Sequence, residues 1–353
     1  LGPLVGGLLI DTLNWRWIFW VNLPIGIAAL ALVWWSTPDT RDEHAARSID
    51  VPGVITLVGG IFLLSAALVF ADNVGVAAFG GMLAGSVLLL VAFVFIERRA
   101  KNPVIVLSIF RKGRYDGAVL ANLIANFVFG GVVFFMALYL QVVEGYDPLK
   151  AGLLLLPATI PILLVNPLGN WLGQRFGPGA PTAAGMLFLA AATFLLLRLS
   201  GDYSDLIAPF ILIGIGIGLQ ITPCAATAVE DPGDAGEGVV SGVFKASSMI
   251  GGSLGVAIGT AVFQSDARSK LAELLAAASP SAETVDKILS ALTGGVSIDD
   301  VASLIPGDPR QLITQVFDAA VAAAMWPSIV VSLIGVVIAL VLLRGKSPTA
   351  TGS

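Results

Sequence analysis

The sequence predicts an all-α membrane protein, a bundle of about ten transmembrane helices. Of 353 residues, 56% are hydrophobic and only 12% charged, against roughly 25% charged in a typical soluble domain. The mean hydropathy is +0.91. The apolar residues also fall into runs of about 20, the length that crosses roughly 30 Å of hydrocarbon. Tryptophans mark the ends of one such run, with Trp15, Trp17 and Trp20 on one side and Trp34 and Trp35 on the other. Trp17 and Trp34 are separated by about 26 Å at 1.5 Å rise, close to one hydrocarbon thickness.

The first element is a short apolar stretch over Leu1–Ile10. It is followed by expected spans at Trp17–Ser36, Val51–Ala71, Val76–Ile96, Gly117–Val142, Ala151–Trp171, Pro181–Leu199, Asp205–Val229, Val239–Phe263 and Phe317–Leu343. Residues 264–316 are polar and rich in Ala and Ser, so they read as a loop outside the membrane carrying short surface helices. Within that loop Ser297, with Asp300 three residues on, resembles a capping-box start. Asp308 followed by Pro309 resembles an N-cap with proline in the first turn. No Met, basic leader or short apolar leader opens the chain, so the sequence reads as the C-terminal part of something longer.

Lys and Arg in the connections set an expected orientation. Arg98, Arg99, Lys101, Arg111, Lys112 and Arg114 crowd one connection, which is therefore expected in the cytoplasm. Alternation then places Arg41 and Arg47, Arg175, and the C-terminal Arg344 and Lys346 on the same side. Only Arg16, Lys150 and Arg198 fall in the short outer loops. The expected location is the plasma (inner) membrane, multi-pass, with a cytoplasmic C-terminus.

The opening "GPLVGG" places Gly2, Pro3, Gly6 and Gly7 at helical spacing. Small faces let helix backbones approach closely, and proline bends a helix. The longer run "GPLVGGLLIDTLNWRWIFWVNLPIG" resembles the fifth-helix antiporter motif and sixth-helix entry of the 14-helix drug:proton antiporters, the EmrB/QacA-type branch of the major facilitator superfamily. "ALYLQVVEGYDPLKAGLLLLP" is similar to that family's ninth-to-tenth helix turn. "LGQRFGPG" resembles its cytoplasmic loop motif, for which Gly169, Arg175 and Gly177 are singled out, and "GVVSGVFKASSMIGGSLGVAIGT" its thirteenth helix. The resemblance implies family helices five to fourteen. Residues 1–36 would end an N-terminal bundle, 50–97 would form two linker helices, and 116–344 a C-terminal six-helix bundle. Gly2, Pro3, Gly6 and Gly7 would line the seam at which two bundles rock for alternating access. Three departures stand out: Asp147 where the family has Ser, Gln174 where Asp is common, and Lys245 with Ser248-Met249 where Asn and Arg-Gln are usual.

Polar side chains at membrane depth are costly unless they face protein or water, so they point to function. Asn122 and Asn126 share a face. Asn166, Asn170 and Gln174 share another, near Pro161 and Pro167, and Gln220 follows the glycine-rich "GIGIGLQITP". Asn122, Asn126, Asn166, Gln220 and Lys245 are the candidate cavity residues, with interhelical hydrogen bonding as the plain alternative. Lys245 either snorkels to the interface or supplies the missing positive charge near the cavity. Asp147 and Asp205 read as solvated charges near the outer surface. Almost no carboxylate lies in a helix centre, and the proton-carrying one is expected upstream.

The single His44 and single Cys224 exclude a His-rich metal site and an internal disulfide, and no metal, cofactor or nucleic-acid partner is expected. Expected partners are a small-molecule substrate, protons and the lipid bilayer; a periplasmic adaptor is left open. The resemblance implies a proton-driven exporter of amphipathic or cationic small molecules. An exporter of a lipid, siderophore or other endogenous metabolite is the alternative, and an intramembrane enzyme a remote one, since Lys245 near Ser241 and Ser248 is the nearest approach to a dyad.

Overall fold

The computed structural model describes residues 2–36, 50–69, 76–100, 109–110, 113–199, 202–230, 232, 236–275, 282–293, 301, 305 and 308–345. They form helices α1 (Gly2–Thr12), α2 (Trp17–Trp20), α3 (Asn22–Ser36), α4 (Val51–Val69), α5 (Val76–Glu97) and α6 (Gly113–Leu138). These are followed by α7 (Pro148–Leu154), α8 (Leu156–Phe176), α9 (Gly179–Leu195), α10 (Tyr203–Val229), α11 (Gly236–Leu274), α12 (Ala282–Leu292) and α13 (Pro309–Leu342). Among the described residues, seven helical stretches are long and apolar enough to cross a membrane, and Val51–Ala67 and Gly179–Leu195 are shorter apolar helices.

Local chemistry explains where these helices start and stop. Asp147 accepts a hydrogen bond from the Lys150 amide at 2.7 Å and caps α7, with Pro148 in the first turn. A serine there would cap through its hydroxyl, so this departure preserves the turn. Asp308 caps α13 in the same way through the Arg310 and Gln311 amides, also ahead of a proline. Helix α8 ends at Gly177, whose φ of +85° is a conformation L side chains rarely adopt.

The run Trp17–Ser36 stands as one candidate span with the expected bounds, its helix interrupted at Val21 between α2 and α3; Pro24, lacking an N–H, cannot bond back to Trp20 across that join. Two expected boundaries are corrected. The expected break after Phe263 is absent, and α11 runs on through Gln264, Asp266, Arg268 and Lys270 to Leu274. This segment is polar but made of good helix formers, so the helix outlasts its apolar stretch. Similarly, α13 begins at Pro309 rather than Phe317, because the Asp308 cap lies there. Ser297 and Asp300 lie outside the described residues, as do His44, Arg41, Arg47, Lys101, Arg111, Lys112 and Lys346.

Helices α6 and α8–α11 with α13 pack as one group, with α10 against α6, α8 and α9 and α13 against α6, α9 and α11. The closest crossings are made by glycine. A Cβ on Gly130 would stand 2.8 Å from Gly252, one on Gly185 2.5 Å from the Gly216 oxygen, and one on Gly169 2.6 Å from the Leu219 oxygen. Such approaches gain van der Waals contact where lipid gives apolar burial no advantage. Toward one end an aromatic core of Phe135, Tyr139, Phe263 and Phe317 fills the group, with ring centroids 5.2–5.8 Å apart. Helices α4 and α5 form a hairpin in which the Ser86 hydroxyl donates to the Gly60 carbonyl at 2.8 Å. This hairpin meets α11 through α4, and α1 packs on α7.

Candidate functional site

The α1–α7 contact is a backbone-to-backbone approach. Gly7 is buried, and a Cβ there would stand 2.5 Å from the Pro148 carbonyl oxygen and 2.9 Å from the Leu149 Cα. Gly6, one residue away and turned by about 100°, has nothing within 4 Å of its Cβ position. Gly2 and Pro3 lie in the first turns of the same helix. Of Gly6 and Gly7, Gly7 makes the close contact.

Asn122 is 1% exposed. Its amide nitrogen approaches the Ser247 hydroxyl at 2.9 Å, the Ser248 hydroxyl at 2.7 Å and the Phe244 carbonyl at 3.0 Å, all on α11. Asn126, one turn on, donates back to the Asn122 side-chain and main-chain oxygens at 3.1 and 2.8 Å. These amides form a polar bridge between α6 and α11. The Tyr115 hydroxyl donates to the Val240 carbonyl at 3.1 Å, which fixes the starts of α6 and α11 at the same end of the group. Arg114 pairs with Glu230 at 3.2 Å there. Leu343 is also at this end, packed against the Cβ positions of Gly117 and Gly179.

Next to the bridge, α4, α6 and α11 border an open cavity of about 560 Å³. Leu57 and Ile61 of α4, Val119 and Leu123 of α6, and a stripe of α11 from Gly238 to Ile250 form its walls; Ser247 supplies the hydroxyl. That volume lies in the range that encloses drug-sized ligands.

The other expected residues are elsewhere. Asn166 accepts a hydrogen bond from the Thr222 hydroxyl and ties α8 to α10. Gln220 is 0% exposed, with neither amide atom hydrogen-bonded, against α9 at Gly185. It is sealed within the helix group and lines no part of the cavity, because the glycines around it bring α9 and α10 too close. Lys245 is exposed and forms no ion pair among the described residues. Arg175, lacking a carboxylate at position 174, lies over the rings of Trp171 and Phe176 at 5.3 and 5.5 Å. Gly169 and Gly177 respectively permit the α8–α10 crossing and end α8.

One group was not foreseen. A π-helical turn over Tyr139–Val143 extends α6, and the Tyr139 hydroxyl bonds the Glu144 carboxylate. Asp318, on α13, lies within electrostatic reach of Glu144, and its Oδ1 is buried without a hydrogen bond. Glu144 and Asp318 are far apart in sequence, and no spacing links them.

Comparison with known proteins adds family context. The profile of the Major Facilitator Superfamily matches residues 1–256. The tetracenomycin C resistance and export protein of Streptomyces glaucescens is 33% identical over 261 residues, covering 73% of this chain and 48% of that protein. The multidrug resistance protein Stp of Mycobacterium tuberculosis is 31% identical over 260 residues, with the same coverage. The chain thus spans about half the length of these curated relatives. A solved bacterial homologue of the human lysosomal transporter Spinster, inward-facing and unoccupied, superimposes with a TM-score of 0.51 at 13% identity, covering 85% of this chain and 68% of that one. At that identity the likeness concerns the fold alone.

Proposed function

The chain belongs to the Major Facilitator Superfamily, and from that premise we propose that it is part of a proton-driven exporter of amphipathic or cationic small molecules, of the 14-helix antiporter branch. The observation that carries this reading is the Gly7–Pro148 contact. It joins the helix bearing the antiporter-like motif to the helix that opens the proposed C-terminal bundle, where two bundles would rock past each other. A glycine seam without interlocking side chains lets such surfaces slide and re-form at low cost.

In this reading residues 1–36 end one bundle, 50–97 are linker helices and 116–344 the other bundle. The end that carries Arg114, Tyr115, Val240 and Leu343 is cytoplasmic. Substrate enters from that side, and the polar bridge of Asn122, Asn126, Ser247 and Ser248 holds α6 to α11 while the seam opens and closes. The names of the two relatives, one for tetracenomycin C resistance and export and one for multidrug resistance, support export of small-molecule drugs. A transporter is favoured over an enzyme because the matching family and the two named relatives are transport or resistance proteins.

The test is accumulation of a fluorescent amphipath in cells deleted for their own efflux pumps and expressing the gene's complete product. Lower accumulation than in vector cells, restored by a protonophore, is the expected result. Equal accumulation across a panel of amphipaths overturns the reading.

A further inference from the structure

Lys245 stands beside the cavity bordered by α4, α6 and α11, whose lining also includes Phe110. Lys245 follows Gly238 by seven residues on α11, about 20° from its row on the helix, and stands about 60° from Gly242; Gly238 and Gly242 both line the cavity. Lys245 therefore stands on the edge of the lining stripe and not on the Ser247 side, which is bonded to Asn122. Its side chain is exposed and forms no ion pair among the described residues. The walls are otherwise hydrocarbon, and the single lining hydroxyl, Ser247, is already donating to the Phe244 carbonyl at 2.7 Å.

From this geometry we infer that the cavity receives molecules with an apolar body and a neutral or negatively charged end, placed toward Lys245, and that it disfavours permanent cations. The inference rests on the export reading above and narrows its substrate class. An apolar wall holds a planar or aliphatic body by contact alone. A lysine at its edge, in surroundings less polar than water, attracts a carboxylate or phenolate and repels an ammonium. The hairpin helix α4 gains a role as well, because Leu57 and Ile61 close one wall. The linker would shape the compartment and not merely connect two bundles.

The experiment compares two planar probes of similar size in cells expressing the complete gene product: fluorescein, loaded as its diacetate, and the permanent cation ethidium. Wild type should export fluorescein faster than ethidium. Lys245→Glu should reverse the preference, lowering fluorescein export about tenfold, and Lys245→Arg should retain it. Leu57→Trp, which fills the cavity, should slow whatever wild type exports; each variant is first checked for expression and a monodisperse elution profile. Ethidium preferred by wild type, with a ratio that Lys245→Glu leaves unchanged, overturns the inference while the export reading stands. Unaltered export in Leu57→Trp also overturns it and leaves the cavity to a lipid acyl chain. Export of neither probe by wild type removes the export reading itself, and the inference with it.

Discussion

Gly7 of α1 and Pro148 of α7 meet backbone to backbone, with 2.5 Å from the Cβ position of the glycine to the proline carbonyl oxygen, whereas the neighbouring Gly6 faces open space. Gly7→Leu must push the two helices apart, while Gly6→Leu adds a side chain where nothing stands. Efflux should be lost in Gly7→Leu and kept in Gly6→Leu at matched expression. Equal activity in both variants contradicts the seam.

The α6–α11 crossing tolerates no side chain at Gly255, whose Cβ position collides with the Phe127 carbonyl. Overpacking in a close-fitted interior costs about 1–3 kcal/mol. Gly255→Ala should therefore lower the melting temperature of the detergent-solubilised protein by several degrees. Gly81→Ala on α5, with nothing within 4 Å of its Cβ position, serves as the control and should match or exceed wild type, since alanine is the better helix former.

The bridge at Asn122 makes a graded prediction. Asn122→Leu removes the amide that meets Ser247, Ser248 and Phe244. Interhelical hydrogen bonds in membranes average about 0.6 kcal/mol and reach about 1.7, so the loss should be measurable but not fatal. Asn126→Leu, which bonds only Asn122 among the described residues, should cost less. A larger melting shift for Asn126→Leu would show that the bridge is wrongly assigned.

Gln220 should behave in the opposite sense. Its amide is buried and makes no hydrogen bond, so exchange for an apolar side chain of similar size removes an unmet desolvation cost of about 1–3 kcal/mol. Gln220→Leu is expected to raise the melting temperature or leave it unchanged. A drop of several degrees would mean that the amide has a partner in the working protein.

What was legible in the sequence follows from the bilayer as solvent. Apolar run length and the aromatic and basic flanks brought out the spans, and the Asp308-Pro309 pair marked a helix start because capping is a local interaction, but not that this helix runs on without a break into the last span. The end of α11 was not legible, since Gln264 to Leu274 is polar yet helical, and hydropathy reports burial rather than backbone conformation. Asn122 and Gln220 looked alike as single polar residues in apolar runs. Only the packing separates them: Asn122 meets two serines on another helix, and Gln220 is enclosed by glycine-thinned backbones. The Tyr139, Glu144 and Asp318 group joins residues some 180 positions apart, and no local pattern encodes that. Lys245 was visible as an odd charge, but its place at the rim of an apolar cavity required the neighbouring α4.

The central claim is that movement of substrate and proton are coupled across this fold. The most direct measurement uses everted membrane vesicles acidified inside by respiration, with a fluorescent amine reporting the pH gradient. Addition of an exported amphipath should release protons and recover fluorescence in vesicles carrying the complete gene product, with no recovery for vector vesicles or Gly7→Leu. Substrate uptake into those vesicles without any fluorescence recovery, or uptake that persists after the gradient is collapsed, would contradict the account.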